Sequence, residues 1–181
     1  AHWITKIYRE AYGIFASNGI LFNHESPLRG ETFVTKKITK ALTKIKLKKQ
    51  KKLFLGNIYS KRDWGHAEDY VEAMWKILNS KKSDDFVIAT NNKFTIKQFV
   101  NMTAKELKIN LKWKGKGINE KAYDQNGNCI IEINKRYFRP LEVDNLRGDY
   151  RKARKVLKWK PKKDIRILIK EMVKHELDTH D

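Results

Sequence analysis

The 181-residue sequence predicts an α/β protein, and three observations carry that expectation. Residues 13–22 (GIFASNGILF) form a nearly continuous apolar run, as a strand buried on both faces of a parallel sheet requires. Segments with apolar residues at steps of three and four alternate with short apolar runs, the pattern of helices interleaved with strands. No repeat of fixed period underlies that alternation.

Taken in order, Trp3, Ile4, Ile7, Tyr8, Ala11 and Tyr12 recur at helical spacing and stop at Gly13. The chain therefore opens inside or at the head of an amphipathic helix. The apolar strand leaves through a polar loop, NHESPLRGE, and a helix over 32–49 follows. Val34, Ile38, Ala41 and Ile45 share one face of it, lysines the other, and its far end is the densest basic run, KIKLKKQKK. Leu53, Phe54 and Leu55 form a short strand, and a helix from about His66 is expected to bury Ala67, Tyr70, Val71, Met74, Trp75 and Leu78. DFVIAT (85–90) is a strand. Thr95 with Gln98 three residues on is a capping-box pattern opening a helix filled by Ile96, Phe99, Val100 and Leu107. Residues 111–135 hold a short strand, a glycine-rich excursion at Gly115, Gly117 and Gly127 and the run 129–133, and read as a flexible insert. The tail offers a short helix over 150–157, a break at 158–161, and a last helix carrying Ile165, Leu168, Ile169, Met172, Val173 and Leu177, with Asp164 as its N-cap.

Composition bounds the function. With 40% hydrophobic residues the chain can bury a core, so it is not a disordered tail. Forty Lys plus Arg against 21 Asp plus Glu leave a formal charge of +19, which favours anionic partners without choosing among nucleotides, nucleic acid or a membrane surface. Cys129 is the single cysteine, so a disulfide within the chain and a cysteine metal cluster are both excluded, and a reducing, cytoplasmic setting is expected. The charged opening AHWITKIYREAYG is no signal peptide, and no apolar run reaches the roughly 18 residues of a membrane span. No H-E-x-x-H, cysteine pair or acidic triplet accompanies His24 and His66, so no metal is expected. The one G-x-G, Gly115 to Gly117, has Glu120 where a dinucleotide loop needs its third glycine, and reads as a surface loop.

The segments YREAYGIFASNGILFNHESPLRGETFVTKKI, LGNIYSKRDWGHAEDYVEAMW, DFVIAT and RYFRPLEVDNLRGD followed by LKWKP, in this order, resemble the GDP-mannose 4,6-dehydratases of the extended short-chain dehydrogenase/reductase superfamily. The resemblance covers nearly the whole chain. It implies the C-terminal part of an NAD(P)-binding Rossmann-type fold plus the smaller α/β substrate-binding domain, with residues 1–181 forming a substrate-binding half interleaved with the last Rossmann elements. It places the family's catalytic Tyr-x-x-x-Lys pair, Thr and Glu upstream of Ala1, so no catalytic residue is expected in this chain. The expected chemistry is that of a hydro-lyase acting in GDP-fucose or deoxyhexose synthesis: NADP-dependent conversion of GDP-mannose to GDP-4-keto-6-deoxymannose.

Residue by residue, His24 and Arg29 match positions that touch NADP, and Asn23 matches one that bonds the sugar or its phosphate. Thr32, Phe33, Val34 and Lys37, at a helix start, match nucleotide-sugar contacts, where free N–H groups favour an anion. Gly56 and Asn57 match a nucleotide-contacting strand end. Arg62 and Arg139 match two arginines that clamp the diphosphate, a role suited to the planar fork of guanidinium donors, and Glu142 suits paired ribose hydroxyls. Leu28 departs from the family, many of whose members carry a second Arg there. Read without the motifs, His24 is a loop histidine bonded to backbone, Asn23 a turn residue, and Arg62 a partner of Asp63. The resemblance further implies a homo-oligomer, with the helices at Ala1 and Thr32 as candidate interface. Two alternatives stay open: another nucleotide-sugar dehydratase or epimerase, and a basic nucleic-acid-binding module using the lysines of 36–52. The second is disfavoured because no aromatic residue interleaves with those lysines, so neither nucleic acid nor membrane is an expected partner.

Overall fold

A computed structural model describes residues 1–138 and 143–180. Along the chain run α1 (His2–Tyr12), β1 (Gly19–Leu21), β2 (Asn23–Glu25), α2 (Val34–Lys46), β3 (Leu53–Leu55), β4 (Lys61–Arg62), β5 (Trp64–His66), α3 (Ala67–Leu78), β6 (Phe86–Ile88), β7 (Phe94–Thr95), α4 (Ile96–Glu106), β8 (Lys112–Lys114), β9 (Lys121–Tyr123), β10 (Cys129–Ile133), α5 (Arg151–Leu157) and α6 (Ile165–His180). They divide into two compact units, each built from three stretches of chain: Ala1–His24, Asp63–Lys93 and Arg147–Ile165 in the first; Glu25–Arg62, Phe94–Leu146 and Arg166–Asp181 in the second.

In the first unit β1 pairs in parallel with β6, Gly19 opposite Phe86 and Leu21 opposite Ile88. Tyr70, Ala73 and Ile77 from α3, Phe86 and Ile88 from β6, and Ala153, Leu157 and Trp159 make one buried cluster. Burying aromatic side chains of this size is the main stabilising term, and the indole N–H of Trp159 is satisfied by the Asp69 carbonyl at 2.9 Å. The outward side of α3 differs from expectation. The helix is apolar on two stripes, and only the one through Tyr70, Ala73 and Ile77 meets the core; Val71, Met74, Trp75 and Leu78 are exposed. Likewise α1 buries none of its residues, leaving Trp3, Ile4, Ile7, Tyr8 and Tyr12 exposed. Polar bonds hold α1: Arg9 donates to the Asp85 carboxylate at 2.8 Å and to the Ala16 carbonyl at 3.0 Å. The Arg9 guanidinium beside it keeps the Asp85 carboxyl well below the usual carboxylate range. The run 13–22 is strand only over β1, and no element among the described residues covers Ile14, Phe15 or Ile20.

The second unit holds a four-stranded sheet in the order β3-β10-β9-β8. Leu53 to Leu55 pair in parallel with Ile131 to Ile133, and β9 and β8 continue antiparallel. Residues 111–135 are thus most of this sheet, not a flexible insert: Lys112 and Lys114 flank Trp113 in β8, Lys121 precedes the buried Ala122 in β9, and β10 buries both Ile130 and Ile131 where its pairing with β9 shifts register. The capping box of α4 is formed as the sequence predicts, Gln98 N–H donating to Thr95 Oγ1 at 3.0 Å and Thr95 N–H to Gln98 Oε1 at 2.8 Å. Helix α2 packs against α4 through its Ile38, Ala41 and Leu42 face. It starts at Val34, two residues later than predicted, and its left-handed Lys48 ends it, the Lys49 N–H closing back on the Lys44 carbonyl at 2.8 Å. Lys36 departs from the solvated lysine face, being buried in an ion pair with Glu176. No helix among the described residues is long and apolar enough to cross a membrane.

Candidate functional site

Parallel strands place the loops after their carboxyl ends side by side, which is where open α/β sheets hold ligands. Here β3 delivers Gly56 and Asn57, and its neighbour β10 delivers the single 3₁₀ turn Lys135–Tyr137. Asn134 N–H donates to the Leu55 carbonyl at 2.8 Å, extending the strand pairing into the loops. The approach is so close that a Cβ on Gly56 would lie 2.2 Å from the Tyr137 carbonyl oxygen, so only glycine fits. Lys37, one turn into α2, stands with its Nζ 3.5 Å from the Tyr137 ring centroid, and burial pushes its pKa down. Gly56 and Lys37 are therefore brought together through Tyr137, a contact residue the sequence reading missed although it lies in the RYFRP motif.

The start of α2 supplies backbone donors. Its N-cap is Phe33, which has no side-chain acceptor, so the first N–H groups lack a side-chain cap. The preceding turn over 30–33 is closed by Phe33 N–H on the Gly30 carbonyl at 3.2 Å and holds Thr32. Phe33 is half exposed, and the Arg29 guanidinium lies 3.4 Å from its ring centroid. Arg29 also pairs with the buried Glu25 carboxylate at 3.1 Å, and Glu25 accepts from Thr35 Oγ1 at 2.6 Å. Part of the Arg29 charge is thus already matched by Glu25.

Arg62, on β4, donates through Nη1 to the carbonyls of Lys61 at 2.9 Å and Val143 at 2.5 Å. Lys61 N–H donates to the Asp144 carbonyl and the Lys61 carbonyl accepts from Leu146 N–H, so residues 143–146 run beside β4. Arg139 and Glu142 lie outside the described residues. Their described neighbours bracket the site: Tyr137 rests on Gly56, and Val143 on Arg62.

In the first unit, Asn23 and His24 sit on β2, paired with β5. His24 Nδ1 is 3.0 Å from the Phe22 carbonyl, and its ring lies 5.2 Å from that of Tyr70. With Nδ1–H donated to that carbonyl, Nε2 is left as an acceptor. The backbone-bonded reading of His24 and a ligand-binding one are thus compatible. The motif RDWGHAxDYV is largely architectural. Asp63 is fully buried and accepts from Thr90 N–H (2.9 Å), Thr90 Oγ1 (2.6 Å), Asn91 N–H (3.0 Å) and Gly148 N–H (3.1 Å), tying three loops together. His66 caps α3, its Nδ1 accepting from Glu68 N–H at 3.2 Å. Asp69 receives the N–H groups of Lys162 and Lys163, each at 3.0 Å. Among the described residues no group of three or more His, Cys, Asp or Glu is placed to hold a metal.

The family model described as GDP-mannose 4,6 dehydratase matches residues 1–172. Over 178 residues the chain is 53% identical to GDP-mannose 4,6 dehydratase 1 of Arabidopsis thaliana, covering 98% of this chain and 45% of the relative. It is 50% identical over 176 residues to GDP-mannose 4,6 dehydratase 2 of Caenorhabditis elegans, covering 97% and 46%. The chain spans about half the length of the curated relatives it matches. In three dimensions it resembles RMD from Pseudomonas aeruginosa complexed with NADPH, with a TM-score of 0.81 at 16% identity over 99% of this chain and 54% of the other. A dTDP-glucose 4,6-dehydratase from Bacillus anthracis in complex with NAD gives 0.73 at 20% identity, over 96% and 48%. The fold is that of the extended short-chain dehydrogenases/reductases.

Proposed function

The chain belongs to the GDP-mannose 4,6-dehydratase family, and from that premise we propose that it is the nucleotide-sugar-binding part of such a dehydratase. Its substrate is GDP-mannose and the product GDP-4-keto-6-deoxymannose. The observation that carries this is the convergence of the loops after β3 and β10, Gly56 against Tyr137 with Lys37 over the ring, beside the free start of α2. Such a site offers a flat aromatic face, backbone donors and cationic groups together, the combination a nucleoside diphosphate needs. Arg62 and Arg139 neutralise the diphosphate from two segments, and Glu142 receives the ribose hydroxyls. Thr32, Phe33, Val34 and Asn57 line the remainder, and Asn23 bonds the sugar.

His24 and Arg29 would hold NADP, which supplies the hydride acceptor and donor of the reaction. Both side chains suit that role, because the His24 ring is held through Nδ1 by the Phe22 carbonyl and the Arg29 guanidinium is held over the Phe33 ring. The 181 residues contain no Tyr-x-x-x-Lys, so proton transfer at the sugar is not assigned to any of them. For the expected homo-oligomer, α1 is retained as the interface because its apolar residues are exposed. Helix α2 is not, since its apolar face is buried within its own unit. Relatives near 50% identity favour GDP-mannose over the substrates of other dehydratases and epimerases, whose likeness is one of fold.

Binding of GDP-mannose, GDP and free mannose by calorimetry tests the proposal. GDP is expected to keep most of the affinity of GDP-mannose, with mannose showing none at millimolar concentration. Equal binding of mannose and GDP would contradict it.

A further inference from the structure

The excursion 115–120, which resembles a dinucleotide loop lacking its third glycine, has a different use in the structure. Gly115 has φ +87°, and a Cβ there would lie 2.5 Å from the Asn119 carbonyl oxygen, so the chain folds back sharply. A single 3₁₀ turn, Gly117–Asn119, follows, and Glu120 enters the protein at 3% exposure. Its carboxylate meets two groups from other elements. Lys97 Nζ, on α4, donates to Oε1 at 2.5 Å, and the Tyr59 hydroxyl donates to Oε2. Burial works against the carboxylate, and these two bonds override it and hold its pKa below the ordinary value. Lys97 Nζ is also 4.7 Å from the Trp113 ring centroid, so the three are packed as a group.

Tyr59 stands two residues beyond Asn57, and its N–H donates to Asn57 Oδ1 at 3.0 Å. The same stretch is pinned to α4, with Lys97 N–H on the Ile58 carbonyl at 2.9 Å and Ile96 N–H on that of Ser60 at 3.2 Å. A buried ion pair adds little stability over an apolar pair of the same volume, so what this one supplies is geometry. We propose that Glu120 is a positioning residue for nucleotide binding: by holding the Tyr59 hydroxyl it fixes the Gly56–Asn57 turn in the shape that grips the nucleotide. The proposal rests on the nucleotide-site reading above.

Three variants test it, Tyr59→Phe, Glu120→Gln and the double, each measured for GDP affinity by calorimetry and for hydrogen exchange at the Tyr59 amide. Tyr59→Phe keeps the ring and the Lys97–Glu120 pair, so it folds even where Glu120→Gln does not. Each single change is expected to weaken GDP binding by about three- to ten-fold, the size of one lost hydrogen bond. The double should be no weaker than the worse single, since both remove one contact. The Tyr59 amide should exchange faster in every variant. Affinities within two-fold of wild type, or losses that multiply in the double, overturn the proposal. Should wild type not bind GDP at all, the nucleotide-site reading fails, and an unchanged Tyr59 exchange rate separately removes the positioning role.

Discussion

Replacing Asp63 by alanine is expected to destabilise the chain by about 3–5 kcal/mol, a large fraction of what a domain of this size possesses. The carboxylate is fully buried and takes four donors, two on each oxygen: Thr90 N–H and Oγ1 on one, Asn91 and Gly148 N–H on the other. Alanine leaves all four unsatisfied, and each buried orphan costs about 1–3 kcal/mol when no water replaces the partner. Asparagine is the sharper probe. Its amide oxygen can serve one pair of donors, but its NH₂ then faces the other pair, so Asp63→Asn should recover part of the loss and no more. Urea unfolding of the three proteins checks this, and an alanine variant within about 0.5 kcal/mol of wild type, an ordinary surface effect, would show that the knot carries little.

Gly56→Ala is expected to abolish nucleotide binding. The new methyl would sit 2.2 Å from the Tyr137 carbonyl oxygen and 2.7 Å from its carbon, both backbone atoms that cannot swing aside. The strain costs about 1–3 kcal/mol of stability, and relieving it moves Tyr137 away from Gly56 and Lys37. A loss beyond about 2.7 kcal/mol, or a hundred-fold, in GDP-mannose affinity is expected. Paired measurements of affinity and melting temperature check it: an alanine variant that binds normally would place the nucleotide elsewhere.

What the sequence made legible was local. The capping box at Thr95 and Gln98 depends on residues three apart, so α4 could be read directly. The buried face of α3 could not, because apolar residues line two stripes and only the tertiary neighbours Phe86 and Trp159 choose between them. Within 111–135 a short strand and the run 129–133 could be read, but not the sheet they build, because three-residue elements such as Lys112–Lys114 are too short for an alternating pattern to show which strands pair. At the site, the motif containing Arg62 pointed to chemistry, yet most of its residues are structural. Asp63 ties loops, His66 caps a helix and Trp64 fills a core. Tyr137 depends on the register that sets Ile133 opposite Leu55, a long-range pairing no local pattern encodes.

The central claim is that discrete groups, not diffuse positive charge, hold the sugar nucleotide. Calorimetry of GDP-mannose against wild type, Arg62→Ala, Arg62→Lys and a variant with Lys44, Lys46, Lys48, Lys49 and Lys51 all neutralised addresses it most directly. Arg62→Ala should lose about 1.5–3 kcal/mol of affinity, roughly ten- to a hundred-fold, and lysine should rescue poorly because an ammonium cannot present a planar pair of donors. The lysine variant should bind GDP-mannose as wild type does. If instead that variant loses GDP-mannose as badly as Arg62→Ala, or if Arg62→Ala binds normally, the nucleotide is held somewhere other than between Arg62 and the Gly56 turn.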